Sequence, residues 1–170
     1  MIELTIRTAG AVRHAPRLLH AWLTATEICV RDDSGMLLWL ATPTQVAWAY
    51  DGQLVTSPAL NDRDPIELVP WEPATEVAAL RNLQSVTLWL GADLEPVPSA
   101  ETTPLYGRAV RWFNIPHAPV RNLRIAKDSD TGVVMHISGT DPVYGDLLVE
   151  ATAITVLPRD GMRFQPRLQV

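Results

Sequence analysis

A single thiol, Cys29, and four histidines, His14, His20, His117 and His136, are the residues of this chain best suited to nucleophilic or metal chemistry. One cysteine closes no internal disulfide and builds no C-x-x-C for zinc or redox work. Cys29 sits in the apolar run Ile28-Cys29-Val30, where a buried, inert thiol is expected rather than a nucleophile. His14 and His20 stand on a segment read below as helix. The six-residue step between them turns through about 600°, so their side chains diverge instead of converging on a metal. Asp128-x-Asp130 with Gly132 begins like a calcium loop. However, Gly132 and Gly139 stand where that loop needs its third oxygen ligand and its bidentate Glu. A hairpin turn is the better reading.

The other catalytic patterns fail as well. There is no G-x-S-x-G elbow and no S-x-x-K, and neither glycine-rich phosphate loop is present. The paired acids Asp62/Asp64 and Glu72/Glu76 lie in or beside a Pro-rich stretch and read as a solvated acidic face. The scattered Ser, His and Asp can still meet in space, because triads are recognised by geometry. Sequence therefore assigns no catalytic residue, no metal and no cofactor, and the expectation is that the chain is not an enzyme.

One stretch points to binding. Between positions 108 and 124 stand Arg108, Arg111, Arg121 and Arg124, with Trp112, Phe113 and His117 among them and no Asp or Glu. The chain as a whole has 14 basic and 19 acidic residues and a formal net charge of −5. Arginine forks to phosphate or stacks on bases, and aromatic rings offer stacking platforms. On a regular strand Arg108 and Arg111 point to opposite faces, while Arg108, Val110 and Trp112 share one. Pairing with the chain's own carboxylates is the plain alternative. Of the six Trp, Trp22, Trp39, Trp48 and Trp89 lie in periodic apolar segments and read as core. Trp71, between Pro70 and Glu72-Pro73, and Trp112, beside Arg111, are better placed for an interface. The candidate RNA or partner contacts are Arg108, Arg111, Trp112, Arg121, Arg124 and Trp71.

The elements that must position these residues are mostly strands. Ile2, Leu4 and Ile6 alternate with Glu3, Thr5 and Arg7, the period of a half-buried strand. Leu18, Leu19, Trp22 and Leu23 behind Pro16 read as a helix over about 14–24. Two hairpins follow, 26–31 with 36–41 around Asp32-Asp33-Ser34-Gly35, and 45–50 with 53–57 around Asp51-Gly52, the strongest hairpin signal in the chain. Residues 58–73 are a Pro-rich loop with a short edge strand at 66–69. A helix over about 73–82, a strand over 85–90 and a second Pro-rich loop over 96–104 come next. The last third reads as strands near 105–113, 120–127, 133–138 and 147–157.

The length of 170 residues, with 47% hydrophobic and 19% charged positions, fits one globular domain over 1–170. The charged third residue and the absence of a long apolar core argue against a signal peptide. The longest apolar run, Met36 to Ala41, is far short of the ~20 residues that span a bilayer. A cytoplasmic protein without membrane contact is expected. The fold class is mainly β, a β-rich α+β domain of antiparallel sheets or a partly open barrel with about two short helices.

One ordering of segments carries a family resemblance. Leu37-Leu38-Trp39-Leu40 is followed by Val46 to Leu54, then by Leu80-Arg81-Asn82-Leu83-Gln84-Ser85-Val86-Thr87-Leu88-Trp89. An Arg-bearing strand, the acidic turn Lys127 to Gly132 and a last apolar strand end the series. This resembles the small accessory subunit of type III-D CRISPR RNA-targeting complexes, in order and character over about residues 36–157. It departs from the family's pattern around 81–95. The resemblance implies a non-catalytic β-rich subunit that packs on protein subunits holding a guide RNA, in antiviral defence. The leading expectation is such an interaction subunit, with other protein subunits and RNA as partners. A small-ligand-binding β-barrel is the runner-up, because barrels present an apolar mouth lined with Trp. A hydrolase of unrecognised type is third.

Overall fold

A computed structural model describes residues 1–10, 17–59, 74–90, 94–143 and 145–166. The chain runs β1 (Ile2–Gly10), β2 (Arg17–Leu23), β3 (Ile28–Asp32), β4 (Leu37–Ala41), β5 (Gln45–Tyr50), β6 (Gln53–Pro58), α1 (Ala74–Ala79), α2 (Leu83–Trp89), β7 (Val97–Pro98), β8 (Val110–Asn114), β9 (Arg121–Asp128), β10 (Val134–Asp141) and β11 (Gly145–Val156). A 3-10 turn, Gly161–Phe164, follows. The strands form one antiparallel sheet in the order β6-β5-β4-β3-β2-β1-β11-β10-β9-β8-β7. The mainly β expectation, with two short helices, holds. β6 and β7 end the sheet without pairing to one another, so it is open.

The turns follow the local chemistry. Asp51 and Gly52 both take positive φ, 49° and 72°, the pair of left-handed residues that a twisted two-residue hairpin requires. At the β3–β4 turn, Asp32 Oδ1 accepts hydrogen bonds from the Ser34 and Met36 amides at 3.0 and 2.9 Å. At the β9–β10 turn, Asp128 Oδ2 accepts from the Thr131 amide at 2.9 Å. Before β8, Leu105 and Arg108 close a tight turn through two backbone bonds, so the strand begins at Val110 rather than at 105.

The sheet curls because its register is interrupted. β1 and β11 slip between Thr5 and Ile6, β3 and β4 between Val30 and Arg31, and β10 and β9 at two places. Each extra residue bends its strand and adds twist. One face then becomes concave. Leu4, Ile6, Leu19, Ala21, Leu23, Val30, Trp39, Phe113, Ile125, Ile137 and Val149 join Val77, Ala78, Ala79, Leu80 and Val86 of the helical segment in one buried cluster. The helices bridge one rim. The Val134 amide donates to the Leu80 carbonyl at 2.8 Å, and Arg81 Nη2 donates to the Ala25 carbonyl at 2.8 Å. No helix of the described residues is long and apolar enough to cross a membrane.

The convex face carries a smaller apolar patch of Trp22, Cys29, Leu37, Leu40 and Ala47. Phe164 of the 3-10 turn folds back and covers it. The patch explains one departure from the sequence reading. Residues 17–23 form a strand, not the expected helix, paired with β1 and β3. Leu19, Ala21 and Leu23 face the concave core and Trp22 the convex patch. A strand buried on both faces loses its alternation and mimics a helical stripe.

The expected strand at 85–90 is helix α2. Asn82 Oδ1 caps it, accepting from the Ser85 amide at 2.9 Å and from the Ser85 hydroxyl at 3.1 Å. Leu83, Val86 and Leu90 then meet the core at helical spacing. The second Pro-rich loop contains the two-residue β7. The expected edge strand at 66–69 lies outside the described residues.

Candidate functional site

The convex face of the C-terminal half is laid out by register. Arg7, Glu150 and His136 are successive cross-strand partners on β1, β11 and β10. Glu150 is buried and is the hub of this row. It accepts from Arg7 Nη2 at 2.6 Å and from the Tyr106 hydroxyl at 3.1 Å, and it meets His136 Nδ1 at 3.0 Å. Burial alone would raise the Glu150 carboxyl, but hydrogen bonds from Arg7, His136 and Tyr106 outweigh it and hold the group below its usual value. Burial lowers His136 despite the opposing pull of Glu150. An ionised Glu150 beside a neutral imidazole fixes the tautomer. Nδ1 carries the proton, so Nε2 accepts from the Ser138 hydroxyl 2.8 Å away.

Hydroxyl, imidazole and carboxylate thus stand in the order used by nucleophilic serine enzymes. Position argues against that use. Ser138 is in register with both Leu148 and Arg124, so its strand directs backbone donors into the ladders on either side. A serine nucleophile needs free donors aimed at a developing oxyanion, and a cleft around them. The Glu150 carboxylate is also shared with Arg7 and Tyr106. The network ties together β1, β10, β11 and the turn before β8.

The five described sequence candidates do not form one site. Arg108 is committed to Asp128, with Nε and Nη2 at 2.8 and 2.9 Å from the two carboxylate oxygens, and reaches Asp130 at 3.6 Å. Asp128 is fully buried. Burial would raise its carboxyl, yet the bonds from Arg108 and Thr131 bring it down to about 2. Trp112 is 4% exposed, donates from Nε1 to the Thr103 carbonyl at 2.8 Å, and meets the His136 ring edge at 5.4 Å. Arg124 lies over the Trp112 ring at 4.6 Å and pairs with Glu101. Arg108, Trp112 and Arg124 therefore share the convex face. Arg111 lies on the other face, and Arg121 is exposed at the start of β9. Trp71 lies outside the described residues, as does His14.

Among the described residues no group of three or more His, Cys, Asp or Glu could hold a metal. Cys29 is fully buried, and burial pushes its thiol up to about 11, which keeps it protonated and unreactive. Grooves open on the surface, and two of them carry charged side chains from several elements or turns. One, of about 630 Å³, is lined by His20, Trp22, Arg31, Asp32, Asp160 and Arg163 among others. The second, of about 660 Å³, follows the β8–β9 connection and includes His117, Asn122, Arg121 and Arg124. His117 and Asn122 both hold positive φ, 63° and 52°, a conformation uncommon outside glycine.

The concave face has a feature that sequence reasoning missed. Trp39 and Trp48 are cross-strand partners whose rings stack at 5.9 Å and 26°. Trp39 is 1% exposed, and among the described residues its Nε1 has no hydrogen-bond partner. A buried donor left without an acceptor costs about 1–3 kcal/mol. Periodicity placed Trp39 in the core, but no sequence signal says whether its N–H is satisfied.

No family model and no curated protein matches the chain. Solved structures do. MucB matches with a TM-score of 0.52 at 12% identity, over 96% of this chain and 56% of that one. The MucA/MucB complex of Pseudomonas aeruginosa matches at 0.45 and 13% identity, over 95% and 54%. A LolA superfamily protein, NE2245 from Nitrosomonas europaea, matches at 0.32 and 8% identity, over 96% and 88%. The chain spans about half the length of the MucB chains.

The likeness in fold to MucB, with no family model or curated protein matching, overturns the expected relation to a type III CRISPR subunit and leaves antiviral defence and RNA binding without support. The resemblance rested on the order of apolar segments, which any antiparallel sheet of short strands reproduces. The cytoplasmic expectation is corrected as well. The likeness in fold is with MucB and lends that expectation no support. The likeness that stands is one of fold, with MucB, across nearly the whole of this chain.

Proposed function

We propose that this chain is a non-enzymatic binding domain whose concave face takes an apolar small ligand. The observation that carries the reading is the Trp39 indole. Its N–H is buried against an apolar, aromatic-lined surface of an open sheet and has no acceptor among the described residues. A ligand with an apolar body and one ester or carbonyl oxygen would satisfy it, as polar groups few in number orient ligands in apolar pockets. The roof suits entry. α1 and α2 have six and seven residues, too short to be stable apart from the sheet. Titration of the chain with an alkyl ester tests the reading through tryptophan fluorescence. A saturable change that Trp39→Phe weakens supports it, and no change across the soluble range of the ester sinks it.

A protein partner is the second reading, favoured by the groove along the β8–β9 connection. Arg121, Arg124 and His117 line it, and Asp and Glu are absent from residues 102–127. MucB has been solved with the protein MucA. An acidic segment of a partner fits such a surface by charge. Co-purification from the native host, lost on Arg121→Glu, is the expected result. Recovery of the same partner with that variant would remove the groove from the reading.

A further inference from the structure

The register of β8 and β9 sets two cations face to face. Arg111 is the cross-strand partner of Lys127. Both lie on the concave side, because Phe113 and Ile125, each two residues away along its strand, belong to the concave core. Like charges directly opposite on one sheet face are destabilising. Several cations elsewhere are matched to carboxylates, Arg7 to Glu150, Arg108 to Asp128, Arg124 to Glu101 and Arg159 to Glu27. Arg111 and Lys127 have no carboxylate partner among the described residues.

The surroundings keep this pair open. Arg111 is exposed and Lys127 half-buried, with Lys127 Nζ 5.8 Å from the centre of the Phe113 ring. The strand outside β8 is β7, which reaches only Asn114 and Phe113. Among the described residues no ladder partner covers Arg111 from that side. Two adjacent donors of positive charge beside an aromatic ring, at the margin of an apolar concavity, match an anionic head joined to an apolar chain.

We infer that Arg111 and Lys127 form an anion subsite for the carboxylate or phosphate head of an amphiphile whose chain runs over Phe113 onto the concave face. The inference rests on the binding reading above and adds the head-group chemistry. An anion between the two side chains turns their repulsion into two charge-assisted contacts. The guanidinium forks to two oxygens, and the ammonium supplies a point charge.

Dodecanoate, dodecyl phosphate and dodecanol share one chain and differ in the head. Each is titrated into the full chain at low salt, with binding followed by calorimetry. Both anions are expected to bind at least about tenfold more tightly than dodecanol, and the preference should shrink as salt is added. Their relative affinity shows which head is favoured. Arg111→Gln with Lys127→Gln should abolish the preference and leave dodecanol binding unchanged. Arg111→Gln alone, at an exposed position, should remove part of it. Equal affinity for all three ligands in the native chain overturns the subsite while the binding reading stands. A preference that survives the double substitution also overturns it. Failure of all three to bind overturns the binding reading and the subsite with it.

Discussion

His136 Nδ1 and Glu150 Oε1 stand 3.0 Å apart on adjacent strands, and each shifts the other's titration. The His136 value in the folded chain is lowered by burial, so the unfolded chain binds the proton more readily. Stability from this group is full above its ordinary value of 6.5 and declines as pH falls below it. Glu150 is also held low. Its contribution is full above its ordinary 4.5 and is lost as pH falls through the folded value. Thermal unfolding should therefore show a midpoint that begins to drop below about pH 6.5 and drops again below about pH 4.5. His136→Gln should erase the first decline and keep the second. A flat midpoint between pH 7 and 5 in the native chain would contradict this.

Asp128 offers a separate measure. It is fully buried and accepts from Arg108 and Thr131. Asp128→Asn keeps the shape but removes the charge that Arg108 needs, and truncating one member of a buried pair leaves the other uncompensated. The expected cost is about 2–3 kcal/mol, read from urea unfolding. The acid limb of stability assigned to this carboxyl, between its ordinary 3.8 and about 2, should disappear with it.

The parts of the fold visible in the sequence are those set by local chemistry. Asp51-Gly52 forces its hairpin, and Ile2, Leu4 and Ile6 show a strand with one face inward. The misread segments are those whose signal depends on tertiary neighbours. Residues 21–23 are buried on both faces and Leu18 is an exposed apolar residue, so alternation vanishes, and 85–90 alternate by chance while Asn82 starts a helix. The convex network escaped for a related reason. Arg7, Tyr106, His136 and Glu150 come from four places along the chain, and only the register of β1, β11 and β10, with the turn before β8, joins them. Alternation did place Arg108 and Arg111 on opposite faces, and that division separates the Asp128 ion pair from the subsite proposed with Lys127.

Ser138 gives a sharp test of the non-enzymatic reading. Its hydroxyl donates to His136 Nε2 at 2.8 Å, an arrangement that activates serine where an oxyanion site is present. Ser138 itself is paired with β9 and β11, with a register shift following it on the β9 side. A fluorophosphonate probe is therefore expected to leave Ser138 unmodified at neutral pH, as read by peptide mass. An adduct on Ser138 that disappears in His136→Gln would show a working nucleophile and end the non-enzymatic reading.

Trp39→Phe separates the two roles of the indole. The phenyl ring keeps most of the packing against Trp48, which lies at 5.9 Å, and the substitution deletes the unsatisfied N–H. Loss of ring volume destabilises, while removal of a buried, unpartnered donor stabilises by about 1–3 kcal/mol. The two effects oppose one another, and the ligand-free chain should stay within about 1 kcal/mol of native. Trp39→Ala deletes the same donor but also nearly all of the ring packing, and should cost about 3–5 kcal/mol. Ligand binding breaks the symmetry. If an ester oxygen accepts from Nε1, the phenyl variant should bind an alkyl ester more weakly and an alkane of equal length no more weakly. If both ligands weaken together, Trp39 contributes packing alone, and the acceptor assigned to its N–H is wrong.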